Sequence, residues 1–341
     1  MGQRVLTKVQ YGLEGTHGDN VAADTMLAMK ATLPEADRQI HVPNATIGTR
    51  TPLLLDSAVT RKVLAEGITL EDADGAYFEM FPLLFSSCLN GNVTPVEQTG
   101  SQSDYLWTFT APQTGTEDVD SFTLEVGDET QAYEIGYCMV RTLRISGDVA
   151  SGEVHCSADV FGDKVIQTTI TAGQSLPSSV ELCVAQLARV YIDDTWAGLG
   201  GSEIENALIT WDITLNGGVH PKFFGSAQRE FDSHGQGEIN GTAVFTFERN
   251  AAVAAEELYY RPTSTYVPTI RHVQLTFEGL QIGTGDNQKV ELDMAGVWTA
   301  WQSLGGDIEG NTYDVATLTF GYDATGAQAF QALVTTTLSA I

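Results

Sequence analysis

The feature that most constrains this chain is strict two-residue alternation of apolar and polar side chains, met in two widely separated places. In the first, Val154, Cys156, Ala158 and Val160 alternate with Glu153, His155, Ser157 and Asp159. In the second, Trp211, Ile213 and Leu215 alternate with Thr210, Asp212, Thr214 and Asn216, and Ile239, Gly241, Ala243, Phe245 and Phe247 continue the pattern after a gap. Side chains of a strand point to opposite faces in turn, so this period specifies antiparallel strands with one face buried and one face wet. A chain with this pattern cannot be mainly helical.

Each alternating stretch reads as a hairpin, and the two resemble copies. LRISGD leads to GEVHCSADV, and WDITLNGG leads to GEINGTAVF, with matches at Gly152/Gly237, Glu153/Glu238, Val154/Ile239 and Ala158/Ala243. The first loop is short, Val149 to Ser151, whereas the second carries an insertion, Val219 to Gln236. Duplication fits the length: 341 residues correspond to about two domains.

Other strands are expected at Val5 to Tyr11, Tyr105 to Phe109, Phe122 to Val126, His272 to Phe277, Asn287 to Leu292, Asp314 to Tyr322 and Phe330 to Leu338. Ala76 to Leu89 is a helix candidate that contains Pro82, tolerable only in a first turn, and Asn90-Gly91 closes it. A short helix is also expected over Val21 to Lys30, and the stretch from Ile40, broken by Pro43, Gly48 and Pro52, is expected to be loop. The expected organisation is an arm over 1–35, one β domain over 36–170 and a second over 171–341.

Asp and Glu number 44 against 17 Lys and Arg, a formal net charge of −27. Such a surface repels a phosphate backbone and disfavours specific DNA or RNA binding; it suits solubility, a salty environment, or a surface that nucleic acid must pass without sticking. No Lys or Arg occurs between Lys62 and Arg141, a stretch holding 14 carboxylates from Glu66 to Glu134. These must be solvated or met by cations from elsewhere in the chain or from a neighbouring subunit. Cys88, Cys138, Cys156 and Cys183 form no CxxC pair and are expected as reduced core residues. The N-terminal stretch has no apolar signal core, and no run of apolar residues suggests a membrane anchor.

The residues give no reason to expect an enzyme. There is no GxSxG, no Walker lysine motif and no HExxH-type pair among His17, His41, His155, His220, His234 and His272. His155 and Cys156 are strand neighbours and should point apart. GLGGSE puts Glu203 where a phosphate-binding loop needs glycine, so it reads as a turn. Neither Glu71, Asp72 and Asp74 nor Glu117, Asp118 and Asp120 has calcium-loop spacing. No cofactor and no metal site is expected.

The order of features is similar to the tail tube proteins of long-tailed, siphovirus-type bacteriophages. The carriers are an extended arm, a Gly-punctuated loop, a short apolar helix, YLWTFTAP, SFTLEVGDE, the hairpin VRTLRISGDVASGEVHCSADVFG and a closing YDVATLTFGYDATGAQAF. The resemblance covers about Val5 to Gln167 best. It implies an all-β fold with minor helix, as two tandem tail-tube-like β-barrel or β-sandwich domains, each with an amphipathic hairpin. It further implies rings that stack into a hollow tube through which DNA passes. Family members often carry one domain and form six-fold rings; two domains here imply a trimeric, pseudo-hexameric ring. The expected lumen-lining residues are Glu153, Ser157, Asp159, Thr210, Asp212, Glu238, Asn240 and Thr242. The expected ring-stacking residues are Lys222, Phe223, Phe224, Arg229 and Phe231, with the arm as a second contact. The implied partners are further copies of the chain and other tail proteins at the tube ends. The implied location is the virion, after synthesis in the host cytoplasm. The competing expectations are another virion component (a terminator, hub or decoration protein) and a carbohydrate-binding β-sandwich using Trp196 or Trp298.

Overall fold

The computed structural model describes residues 7–35, 37–41, 50–51, 58–98, 103–114, 118–177, 180–225, 229–262, 267–308 and 310–341. The fold is all-β with minor helix. In the first half the elements are β1 (Lys8–Leu13), β2 (Thr25–Met26), β3 (Met29–Thr32), β4 (Arg38–His41), β5 (Ala58–Val63), β6 (Ala65–Asp72), α1 (Phe81–Cys88), β7 (Val96–Glu97), β8 (Tyr105–Thr110), β9 (Phe122–Gly127), β10 (Ala132–Asp148), β11 (Val154–Gly162) and β12 (Val165–Thr168). The second half has β13 (Ala188–Asp193), β14 (Leu208–Asn216), β15 (Val219–Lys222), β16 (Ser233–Gln236), β17 (Asn240–Glu248), α2 (Ala251–Tyr260), β18 (Arg271–Gln281), β19 (Asn287–Gln302), β20 (Asp307–Ile308), β21 (Asn311–Phe320) and β22 (Phe330–Thr336). No helix of the described residues is long and apolar enough to cross a membrane.

Both alternating stretches form the half-buried strands that their period demands. On β11, Val154, Cys156, Ala158 and Val160 are buried while His155 is exposed and Ser157 and Asp159 are half-buried. On β14 and β17 the buried set is Trp211, Ile213, Leu215, Ala243, Phe245 and Phe247. All four cysteines are free and buried.

The hairpins do not stand in separate sheets. β10 pairs with β11 on one side and with β14 on the other, so the seam between the halves is a hydrogen-bonded ladder from Thr142↔Asn216 to Asp148↔Thr210. The result is one continuous antiparallel sheet in the order β3-β6-β11-β10-β14-β17-β21-β19. A second seam joins β8 to the C-terminal β22, and the Trp107 indole N–H donates to the Leu338 carbonyl across it at 2.9 Å.

The sheet contains a repeated four-strand unit, β3-β6-β11-β10 followed by β14-β17-β21-β19. In both units the first two strands are linked by an excursion bearing a two-stranded ribbon, β4–β5 in one and β15–β16 in the other. Both second strands lead into a helix, α1 or α2. Both units end on a long strand that changes pairing partners along its length. β10 pairs with β9 and β12 through its first half, and β19 pairs with β18 and β22 through its first half. Each long strand carries a bulge at the corresponding place, Arg141 in β10 and Thr299 in β19. The equivalence therefore runs from β10–β11 to β19–β21 and from β3–β6 to β14–β17. The expected equivalence of β10–β11 with β14–β17 is corrected. Those hairpins look alike because every half-buried strand shares the same alternation.

The apolar face of the sheet closes over a core shared by both halves. α1 lies inside it, buried along its whole length, as befits a helix apolar all round. Pro82 sits in the first turn, where its missing N–H leaves no bond unmade. Phe81 and Phe85 reach rings from both halves, with centroids 6.0 Å from Phe277, 5.8 Å from Phe109 and 6.4 Å from Phe330.

Three local expectations are corrected. Residues 8–32 are built into the fold: β1 pairs with β9 over Lys8↔Gly127 to Leu13↔Phe122, while Val5 lies outside the described residues. Val21 to Lys30 contains β2 and the start of β3 in place of a helix, because pairing with β1 and β6 outweighs a weak local propensity. The stretch expected as loop from Ile40 includes strands of the ribbon β4–β5, while Pro43, Gly48 and Pro52 lie outside the described residues. No helix is expected from the sequence pattern where α2 forms. Asn250 caps it, accepting from the Val253 N–H at 2.9 Å.

Candidate functional site

The wet face of the eight-stranded sheet is an extended polar surface. Its register aligns side chains in rows across the strands. One row runs Lys30, Glu71, Ser157, Arg144, Thr214, Thr242, Thr319 and Val297, one residue per strand from edge to edge. A neighbouring row contains Thr32, Thr69, Asp159, Thr142, Asn216 and Asn240.

Six of the eight sequence-predicted face residues lie on these strands: Ser157, Asp159, Thr210, Asp212, Asn240 and Thr242. The other two lie just off it. Glu153 precedes β11 in an isolated bridge to Val184, and Glu238 is exposed between β16 and β17. The face is hydroxyl-rich: Thr210 Oγ1 donates to Thr246 Oγ1 at 2.8 Å, and the Thr299 and Thr319 hydroxyls are 2.8 Å apart.

Its arginines are tied to carboxylates, while Lys30 donates to the Ala73 carbonyl at 2.9 Å. Arg144 donates to both oxygens of Asp212 at 2.8 and 2.6 Å, bridging the seam between the units. Arg141 reaches Glu66 at 3.1 Å and Asp159 at 3.7 Å. Partial burial raises the Asp159 carboxyl, Arg141 opposes this, and Glu66 adds to it. Some of the acid-rich stretch is thus met by cations from distant sequence, as at Lys8–Glu129 (3.1 Å). Sequence pattern alone does not place Lys30, Arg141 and Arg144 on the face: Lys30 arrives through the pairing of β3 with β6, Arg141 meets Glu66 and Asp159 through the pairing of β6, β11 and β10, and Arg144 meets Asp212 across the seam.

The insertion between β14 and β17 carries the two-stranded ribbon β15–β16. Lys222 and Arg229 are exposed, as are Phe223 (41%) and Phe224 (64%), which leaves four of the five predicted contact residues at the surface. Phe231 is corrected: it is 5% exposed and packs on Tyr137 (4.5 Å) and Phe161 (5.9 Å), anchoring the ribbon to the body of its own chain. Trp298, offered for sugar stacking, is a core residue at 5% exposure, and Trp196 is half-buried edge-on to His272.

A polar cluster that no sequence spacing announced lies at the ribbon base. His17, Asp118 and His234 converge from three segments more than 100 residues apart. Glu117, grouped with Asp118 in the sequence, lies outside the described residues.

No protein-family model matches the chain, and no curated protein matches it.

Proposed function

We propose that this chain is a structural subunit that closes into rings and stacks them into a hollow tube, the tail tube of a long-tailed bacteriophage. The observation that supports this reading most is the repeated four-strand unit and the way its two copies join. Within one chain, the outer edge of β10 receives β14. Among the described residues, no ladder covers the outer edge of β3 or the outer edge of β19 beyond Gly296. These two edges occupy, in the repeat, the places that β14 and β10 occupy at the seam. A joint made once inside the chain can therefore be made again between copies. An exposed edge is a template for such pairing, and a head-to-tail contact that rotates can close into a ring.

Three copies of two units would give a trimeric ring with pseudo-six-fold symmetry. Its lumen would be lined by the polar face, with Ser157, Asp159, Thr210, Asp212, Asn240 and Thr242 inside and Glu153 and Glu238 near its rims. Carboxylates and hydroxyls repel or ignore phosphates, and the arginines there are already engaged, so DNA would slide past. Lys222, Phe223, Phe224 and Arg229 would meet the next ring. The remaining partners would be other tail proteins at the tube ends, and the place of action the virion.

Negative-stain electron microscopy across salt and protein concentration, with native mass spectrometry of any ring, tests the reading. Hollow tubes or rings of three chains are expected. Rings of six chains would overturn the trimer. Persistent monomers would overturn self-assembly and favour a terminator, hub or decoration protein, or a glycan-binding sandwich that an array would identify.

A further inference from the structure

The His17, Asp118 and His234 cluster gathers three metal-ligating side chains around one point, with the second ring nitrogen of each histidine held by another oxygen. One ligand atom from each residue lies within 4.8 Å of the others. His17 Nε2 is 3.0 Å from Asp118 Oδ2, and His234 Nε2 is 2.6 Å from Asp118 Oδ1. Both imidazoles thus aim the same nitrogen at one carboxylate.

The other ring nitrogens are occupied. His17 Nδ1 is 2.8 Å from Ser121 Oγ, and His234 Nδ1 is 3.1 Å from the Tyr137 hydroxyl. The Ser121 hydroxyl donates its proton to Glu14 Oε2 at 2.6 Å, so toward His17 it can only accept. His17 Nδ1 is therefore the donor to Ser121 Oγ, and Nε2 is the nitrogen turned to the Asp118 carboxylate. The contact between that nitrogen and the carboxylate is one that a bound metal ion can bridge as well as a proton. The ring cannot swing away, because it stacks on Tyr137 with planes 5° apart and meets His234 edge-on at 4.8 Å. Histidines whose distal N–H is fixed by a second oxygen are the usual form of metal ligands.

We infer that His17 Nε2, His234 Nε2 and Asp118 form a binding site for a divalent first-row transition cation, Zn²⁺ foremost, that clamps the β15–β16 ribbon to the N-terminal segment. Two imidazoles and one carboxylate suit Zn²⁺ better than the oxygen-seeking Ca²⁺ or Mg²⁺, and a water would complete four-coordination on the exposed side. Small side-chain movements bring the three atoms to bonding distance. The clamp would join residue 17, the loop after β8 and β16, and so fix the ribbon that presents Phe223 and Phe224. It is independent of the tube reading, since a monomer would bind the ion equally well.

The test is isothermal titration of the full-length protein with Zn²⁺ at pH 7.5, with Co²⁺ absorption as the coordination signature. One Zn²⁺ per chain is expected, with a visible Co²⁺ band and slowed hydrogen exchange over residues 219–225 and 229–236. His17→Ala and His234→Gln should abolish binding. Tyr137→Phe, which removes only the second partner of His234, should weaken it by about tenfold or more. Asp118→Asn, at an exposed position, serves if a histidine variant fails to fold. Absence of one-to-one binding would overturn the site and leave a proton-bridged ion pair. Binding undiminished in the folded variants would overturn the assignment of ligands.

Discussion

Replacing Gly147 by alanine tests whether the seam between the two halves is held in register by packing. Gly147 lies on β10 directly opposite Trp211 of β14. A Cβ built at Gly147 would stand 2.1 Å from Trp211 Cζ2 and 2.5 Å from Cη2, both atoms of the outer indole ring. Ordinary carbon–carbon contact would require the ring to retreat by ~1.5 Å, and Trp211, at 2% exposure, has a packed core behind it. Overpacking of this kind costs about 1–3 kcal/mol. Gly→Ala returns about 0.4–1 kcal/mol through the unfolded chain. The net expectation is a loss of about 1–2 kcal/mol. Trp211→Phe removes the outer ring at a cost of its own. In that background Gly147→Ala should become neutral or stabilising by up to about 1 kcal/mol, a coupling of at least about 1 kcal/mol between the two sites. Reversible urea unfolding followed by far-UV circular dichroism of the four proteins measures it. An equal cost in both backgrounds, or a neutral Gly147→Ala in the wild type, would refute the claim that the indole dictates glycine here.

Two further outcomes follow from burial. Phe231→Ala should cost about 3–5 kcal/mol and make residues 219–225 and 229–236 protease-sensitive, whereas Phe224→Ala should change stability by less than about 0.5 kcal/mol; urea melts and limited proteolysis separate them. Asp293, 5% exposed and accepting from Gln274 at 2.8 Å, has its carboxyl pushed up by burial to about 7. Its unfolded value is about 3.9, so the folded state is favoured in full below pH ~4 and loses up to about 4 kcal/mol as pH rises to ~7. Asp293→Asn should flatten that slope and melt higher than the wild type at pH 8; an unchanged slope would place the carboxyl in water.

Much of the fold was written locally. The two-residue alternation of Val154 to Val160 and of Trp211 to Leu215 fixes strand type and buried face without reference to anything distant, because it follows from strand geometry alone. The apolar run around Pro82 announced a helix, but α1 starts at Phe81 and not at Ala76, because the proline is tolerated only in a first turn. The polar partners of those strands were legible for the same reason, which is why Ser157, Asp159, Asp212 and Thr242 could be put on one wet face. What tertiary structure decided was pairing. Alternation is shared by every half-buried strand, so it cannot say that β10 takes β14 as its neighbour, nor that β11 corresponds to β21. Those choices rest on bulge positions, the fit of Trp211 over Gly147, and a core common to both halves. Phe231 reads like Phe223 and Phe224 in sequence, yet only Phe231 has Tyr137 and Phe161 beneath it. His17, Asp118 and His234 carry no spacing signal, because only the completed fold brings three distant segments to one point.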